Sequence, residues 1–367
     1  MSTLAVNNIT KADGGIYQFE NKNLLVNGGM NLFQRSTSAT GITSSGYHSA
    51  DRVYTAVVNH GTYTMARSTT VPTGQGFGYS WKIDCTTADT SLAADAHVMV
   101  SQPIEGQNLQ RVKKGTSSAD SLTLSFWIRS NLTGTLTAEL YDTDNTRQIS
   151  QTFTISSADT WEKKEITFAG DTTGAFTNDN GASLYFEIHL AAGSNLTSGT
   201  LNTSWASATN ANRVSSSNIN IASSTSNELL LTGVQLEQGS AATDFEFEPH
   251  DMTIQKCQRY CYKIDSDLNG NSQFFAATAW DADEGYGILP FPTPMRAVPT
   301  LTTNGTFQVS IAGTTTTLTG VTMNQGNPLN SNLKIAASGT PFTAGQTGTV
   351  APVGASTSNY LIFDAEL

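Results

Sequence analysis

The sequence predicts an all-β fold: a two-sheet β-sandwich of jelly-roll type, with one short helix after it. Three observations predict this. Apolar and polar residues alternate with period two in run after run, the signature of half-buried strands. Charged residues make up 13 % of the chain, against about 25 % in ordinary domains. Thr, Ser, Asn and Gly fill the difference. No extended alternation of strand text with helix text occurs, which sets parallel-sheet folds aside.

The elements follow in order. Residues 1–20 stand apart: Leu4–Ile9 reads as a short strand-like run, Asp13-Gly14-Gly15 as a turn, and the whole as an extended arm. From Asn23 to about Glu248 the text alternates. Leu122, Leu124, Phe126 and Ile128 share one face of a strand. The runs Thr135–Tyr141, Gln151–Ile155, Trp161–Phe168, Leu184–Leu190 and Glu228–Leu236 continue the pattern. Turn-forming stretches at Asn131–Gly134, Asp142–Asn145, Gly170–Gly174 and Asn178–Gly181 separate these runs. Many short antiparallel strands in succession point to a sandwich. The one helical stretch is Asp251–Lys263, with Ile254, Cys257 and Cys261 at helical spacing and Pro249 ahead of it. Residues 265–367 return to strand and turn, with Pro290, Pro292, Pro294 and Pro299 marking a kinked connection.

Composition also excludes functions. Nineteen basic and thirty acidic residues leave a net charge of −11, which opposes nucleic-acid binding and docking on anionic lipid. A neutral glycan stays open as a partner, because stacking and hydrogen bonds do that work. No apolar run approaches the ~18–20 residues of a membrane span. Cys85, Cys257 and Cys261 form no metal-ligand spacing and are expected to be reduced packing residues. No signal peptide is visible, so synthesis in a reducing cytoplasm is expected. His48, His60, His97, His189 and His250 are scattered, and neither His-Glu-x-x-His nor Gly-x-Ser-x-Gly occurs. No catalytic residue, metal or cofactor is therefore assigned. His189 is opposite in parity to Ile188 and is expected to face solvent or an interface.

Two groups of acids remain. Asp142 and Asp144 read as turn acids that accept backbone N–H groups. Asp281, Asp283 and Glu284 lie between Trp280 and Tyr286. An aromatic ring packs on the C–H face of a sugar, and carboxylates accept its hydroxyls, so these five residues are the candidate ligand-binding site. Asp265-Ser-Asp267-Leu-Asn269-Gly270 copies the first half of a calcium loop, but its twelfth position is Ala276 instead of Glu, and a polar turn is expected.

Several phrases, taken in order, resemble a known family. They are Asn23-Leu-Leu-Val-Asn-Gly-Gly-Met-Asn-Leu-Phe-Gln-Arg35, Tyr47-His-Ser-Ala-Asp51-Arg52, Gln102-Pro-Ile-Glu-Gly106-Gln-Asn-Leu109 and Leu122-Thr-Leu-Ser-Phe-Trp-Ile-Arg129. Asp159-Thr-Trp161-Glu-Lys-Lys164, Leu231-Thr-Gly-Val-Gln-Leu-Glu237 and Cys257-Gln-Arg-Tyr260 follow. The set resembles the carbohydrate-binding-module-like jelly-roll region of tail-fibre proteins of tailed bacteriophages, over about residues 23–265. Phe291–Pro299 and Tyr360–Leu367 resemble the small C-terminal β domain of the same fibres.

The resemblance implies an organisation: 1–20 a virion-anchoring arm, 21–250 the jelly roll, 251–265 a connecting helix, and 266–367 a C-terminal β tip. It implies a homotrimer in the virion, assembled in the host cytoplasm and docked on another virion protein through residues 1–20. The implied partner is a host-surface glycan, held without catalysis, with no nucleic acid and no membrane insertion. Asp51-Arg52 and Gln235–Glu237 are expected to serve the fold. The departure is the short leader, since many fibres carry a long virion-binding domain and shaft ahead of the jelly roll. The alternative is a structural fibre or decoration protein of capsid or tail with no receptor role. A polysaccharide-cleaving enzyme is a third reading, but neither β-helix repeats nor an evident acid pair supports it.

Overall fold

The computed structural model describes residues 21–266, 272–354 and 359–367. The arm at 1–20 and the calcium-like loop from Asp267 to Gly270 lie outside these residues. Strand accounts for 46 % of the chain and helix for 7 %, so the molecule is nearly all β.

Two sheets form the sandwich. The first runs in the order Ser38–Ile42, Thr62–Ser68, Ser80–Thr87, Glu228–Gln238, Leu122–Ser130, Glu162–Phe168. The second runs Ala206–Ser207, Arg147–Ile155, Gly134–Asp142, Ala182–Ala192, His97–Glu105, Tyr54–Val58, Gly46–Tyr47. The chain crosses repeatedly between the layers: Leu122–Ser130 lies in the first and the next strand, Gly134–Asp142, in the second. This is the predicted jelly roll. The alternating residues do what their period dictates, since Leu124, Phe126 and Ile128 meet Leu136, Leu140, Leu184 and Phe186 in one core with Tyr63, Trp81 and Ile83. Each such side chain contributes about 1.5–3 kcal/mol on burial.

The Asn27-Gly28-Gly29 phrase has a steric cause. Leu24 N–H donates to Leu236 O at 2.8 Å and Val234 N–H to Gly28 O at 2.9 Å, which pins this segment along the strand Glu228–Gln238. A Cβ on Gly28 would fall 2.0 Å from Val234 O, so the close approach requires glycine.

The helix spans His250–Gln258, shorter than the predicted 251–265. Residues Cys261–Asp265 are instead a strand, paired with Tyr360–Asp364, which in turn pairs with Thr300–Asn304. The cause is non-local. Tyr262 and Ile264 pack on a second core, and the ladder partner lies about a hundred residues downstream, where local spacing cannot reveal it. This second core fills a closed barrel of six strands, ordered Phe275–Ala279, Glu284–Pro290, Asn330–Ala337, Thr314–Asn327, Phe307–Ile311, Thr347–Pro352. Phe275, Leu289, Val309, Leu333, Ile335 and Val350 point inward, joined by Leu361 and Phe363 from the small sheet.

A buried polar seam joins the sandwich to the second core. Arg52, 1 % exposed, pairs with Glu366, donates to Pro103 O at 2.6 Å, and lies 3.7 Å from the centre of the Tyr260 ring. Arg35 holds Glu366 and Asp364 at 3.2 and 2.7 Å. Glu105 accepts two hydrogen bonds from Arg259 at 2.7 Å and one from Tyr260 at 2.5 Å. Gln34 bridges Asp51 and the carbonyl of Cys261. Asp51 and Arg52 thus serve the fold, as expected, and Gln235 and Glu237 do the same through Glu246 N–H and Thr243 N–H. All three cysteines are free and buried.

Candidate functional site

Trp280, Asp281, Asp283, Glu284 and Tyr286 come together on the first hairpin of the barrel. Trp280 closes the turn, donating its N–H to Glu284 O at 2.8 Å. Its indole is 73 % exposed, the largest exposure of any big apolar side chain among the described residues. Tyr286 stands beside it, ring centres 6.3 Å apart at 84°, an edge-on pair. Strand parity explains the placement. Gly285, Gly287 and Leu289 line the barrel interior, so Glu284, Tyr286, Ile288 and Pro290 project outward. Ile288 is 69 % exposed and extends the aromatic pair into an apolar stripe along the strand. Thr278 and Lys334 flank Tyr286 in register on the neighbouring strands.

The acids divide their roles. Asp281 accepts the backbone N–H groups of Asp283 and Glu284 at 3.1 and 2.8 Å. Those bonds hold its carboxyl below the usual range. Glu284 pairs with Lys334 and accepts the Tyr286 hydroxyl at 3.4 Å. Asp281 therefore shapes the turn, and the Asp283 carboxylate is exposed next to it.

A second surface emerges that sequence reading missed. On the outer face of the seven-stranded sheet, Tyr47 opposes Tyr54 and Tyr185 opposes Tyr141. Tyr47 and Tyr54 stack edge to face at 5.2 Å. All four rings are partly exposed, so the sheet offers a floor of tyrosines. The signal was present for two of them, Tyr141 and Tyr185, which share parity in recognisable strands. Tyr54 lies in a strand too apolar to show alternation.

Beside this floor, on the same face of the sheet, sits a buried charged cluster. Glu139 and Glu187 are register partners on adjacent strands, and His189 Nε2 lies 2.8 Å from Glu139 and 3.5 Å from Glu187. Arg213 donates to both carboxylates, at 3.0 and 2.5 Å, and covers the Tyr141 ring at 4.8 Å. His189 was expected to face solvent or an interface. Its parity is indeed outward, but the segment bearing Arg213 covers it, leaving 0 % exposure. Burial lowers the His189 pKa to about 3, so it is neutral. The ligand atoms of Glu139, Glu187 and His189 lie within 4.8 Å of one another, as a metal site would need. The Arg213 guanidinium already supplies the cation at that point, so the cluster reads as a salt-bridged anchor. Asp142 and Asp144 are structural too. Buried Lys114 bridges Asp142 and Asp171 at 2.6 and 3.1 Å, and Asp144 accepts Thr177 N–H at 2.9 Å.

No protein-family profile matches the chain, and no curated protein sequence matches it. Solved structures do. The enzymatically active domain of tailspike protein 4 of bacteriophage CBA120 matches 59 % of the chain at 14 % identity, with a TM-score of 0.32; the match spans 21 % of that protein. A putative sugar-binding protein from Bacteroides thetaiotaomicron matches 59 % of the chain and 99 % of its own length, at 12 % identity and a TM-score of 0.33. The module TmCBM61, solved with β-1,4-galactotriose, matches the same shares at 11 % identity and 0.29. The sandwich rests on its own strands and core.

Proposed function

We propose that this chain is a non-catalytic attachment protein of the phage tail-fibre type, and that it holds polysaccharide on a host cell surface. The observation that carries the reading is the Trp280–Tyr286 pair: an exposed indole set edge-on to a tyrosine, continued by Ile288, with Asp283 and Lys334 alongside. A stripe of this kind offers flat apolar area for sugar C–H faces and polar groups for hydroxyls. The low charge and the abundance of Thr, Ser and Asn support the same partner. The tyrosine floor of the sandwich is a second platform for it. In this reading three copies assemble, residues 1–20 dock on another virion protein, and multivalency turns weak single-site affinity into durable adsorption.

Adsorption blocking tests the proposal. Purified protein is added to candidate host cells, and bound protein and attached phage are both counted. Saturable binding that lowers phage attachment, lost in Trp280→Ala or Tyr185→Ala, is expected. A folded protein that binds no susceptible host would shift the role to a structural decoration. Release of reducing ends from host polysaccharide would overturn the non-catalytic part.

A further inference from the structure

Where the sandwich meets the helix His250–Gln258, a cleft of about 470 Å³ opens between the segment Asn21–Val26, the turn Gln107–Arg111 and the helix end. Its volume lies within the range of small-molecule sites, ~300–1,000 Å³. Arg111, Lys256 and Arg259 line it, and among the described residues no acidic side chain does, in a chain whose net charge is −11. Two of these cations are balanced from behind. Arg259 is held by buried Glu105, and Lys256 pairs with Glu248. Arg111 differs. Among the described residues its hydrogen bonds go to two backbone carbonyls, Asn21 O at 2.8 Å and Lys22 O at 2.7 Å, and no carboxylate pairs with it. Glu246 is within electrostatic reach of Arg111, but its carboxylate accepts Asn23 N–H at 2.8 Å. Asn108 adds an exposed amide, and Leu24 and Val26 an apolar wall.

We infer that this cleft is a ligand site separate from the barrel hairpin, and that it takes a saccharide bearing a carboxylate or phosphate. A planar guanidinium without an acid partner recognises such an anion by two charge-assisted hydrogen bonds. The amide and the apolar wall suit the hydroxyls and C–H faces of a sugar, and the cleft is far larger than one anion fills. The inference does not rest on the Trp280 surface.

Calorimetric titration of the full chain tests it with three probes: a galacturonic acid trimer, glucose 6-phosphate and a neutral galactose trimer. The acidic probes are expected to bind and the neutral one not, with affinity falling as salt rises. Binding by the uronate alone assigns a carboxylate ligand, and by the sugar phosphate alone a phosphorylated one. Arg111→Gln is expected to weaken binding at least tenfold. Because Arg111 ties down Asn21 and Lys22, and Lys256 also donates to Asn21 Oδ1 at 2.8 Å, Asn108→Ala serves as the second variant, with a weakening of several-fold. Trp280→Ala is expected to change nothing here, so failure of this site and failure of the hairpin are told apart. Equal binding of the neutral trimer, no binding of either acid, or wild-type affinity in both cleft variants overturns the inference.

Discussion

Arg52→Met is the sharpest test of how the two cores are held together. Methionine keeps the apolar stem of the side chain and removes its charge. The variant loses the ion pair to Glu366, the bond to Pro103 O and the contact with the Tyr260 ring. Removing one member of a buried pair costs about 3–5 kcal/mol, most of it from the charge left behind. Here Glu366 keeps Arg35 at 3.2 Å, which places the expectation at the low end, about 3 kcal/mol. The assay is urea unfolding at pH 7, followed by tryptophan fluorescence and by far-ultraviolet circular dichroism. Trp81, 0 % exposed, reports on the sandwich core, so a loosened seam separates the fluorescence transition from the overall loss of strand. The double variant Arg52→Met/Glu366→Leu, which leaves no unpaired charge at that point, is expected to recover part of the loss. A single variant within about 0.5 kcal/mol of wild type, or a double variant costing the sum of its singles, would refute the reasoning.

Four further outcomes are expected. Burial pushes the Glu187 carboxyl up to about 7, against the pull of Arg213, from the usual 4.5. At this carboxyl the native state then holds more protons than the unfolded chain between these values, so the Glu187 contribution to stability falls as pH rises from about 4.5 to about 7 and levels off above, while neutral His189, lowered to about 3, contributes a rise up to its usual 6.5. The excess of the wild-type unfolding midpoint over that of Glu187→Gln should therefore shrink as pH rises through that window; Asp51, which burial pushes up to about 6, and His189 add slopes of opposite sign to both proteins. Gly28→Ala should cost about 3 kcal/mol in chemical denaturation, the top of the overpacking range, because its Cβ meets a backbone carbonyl that cannot yield. Trp280→Ala should leave the melting curve unmoved, within about 0.5 kcal/mol, while weakening capture on a surface coated with neutral polysaccharide. Lys114→Met should destabilise by about 3 kcal/mol, since it leaves buried Asp142 without a cation while Asp171 keeps Arg147 at 2.6 Å, and thermal unfolding reads this directly.

The sandwich strands were legible where one face is polar. Leu122–Ser130, Gly134–Asp142 and Glu162–Phe168 alternate because the sheet has a core side and another side, and period two records that. Tyr54–Val58 and His97–Glu105 carry no such record, since cover on their outer faces makes both parities apolar or buried. The helix was legible in its start, at Pro249, and not in its end, which is set by a strand partner beyond residue 359. The Trp280 hairpin was legible as a cluster because its members are neighbours in sequence. The tyrosine floor and the Arg213 anchor were not, because register across four strands and a long loop assembles them from residues as far apart as 47 and 213.

The sheet margins carry a consequence for assembly. The seven-stranded sheet ends on both sides in two-residue strands, Ala206–Ser207 and Gly46–Tyr47. The six-stranded sheet ends in Ser38–Ile42, whose pairing is broken by a bulge, and in Glu162–Phe168, which carries Glu162, Lys163, Lys164 and Glu165 in succession. The barrel closes on itself. Short, kinked or charged margins refuse an added strand. The sandwich and the barrel therefore offer no long, flat strand edge, and a mutation that lengthened one of the two-residue strands would open a route to strand-by-strand polymerisation there; the small sheet differs, ending in the five-residue strands Cys261–Asp265 and Thr300–Asn304.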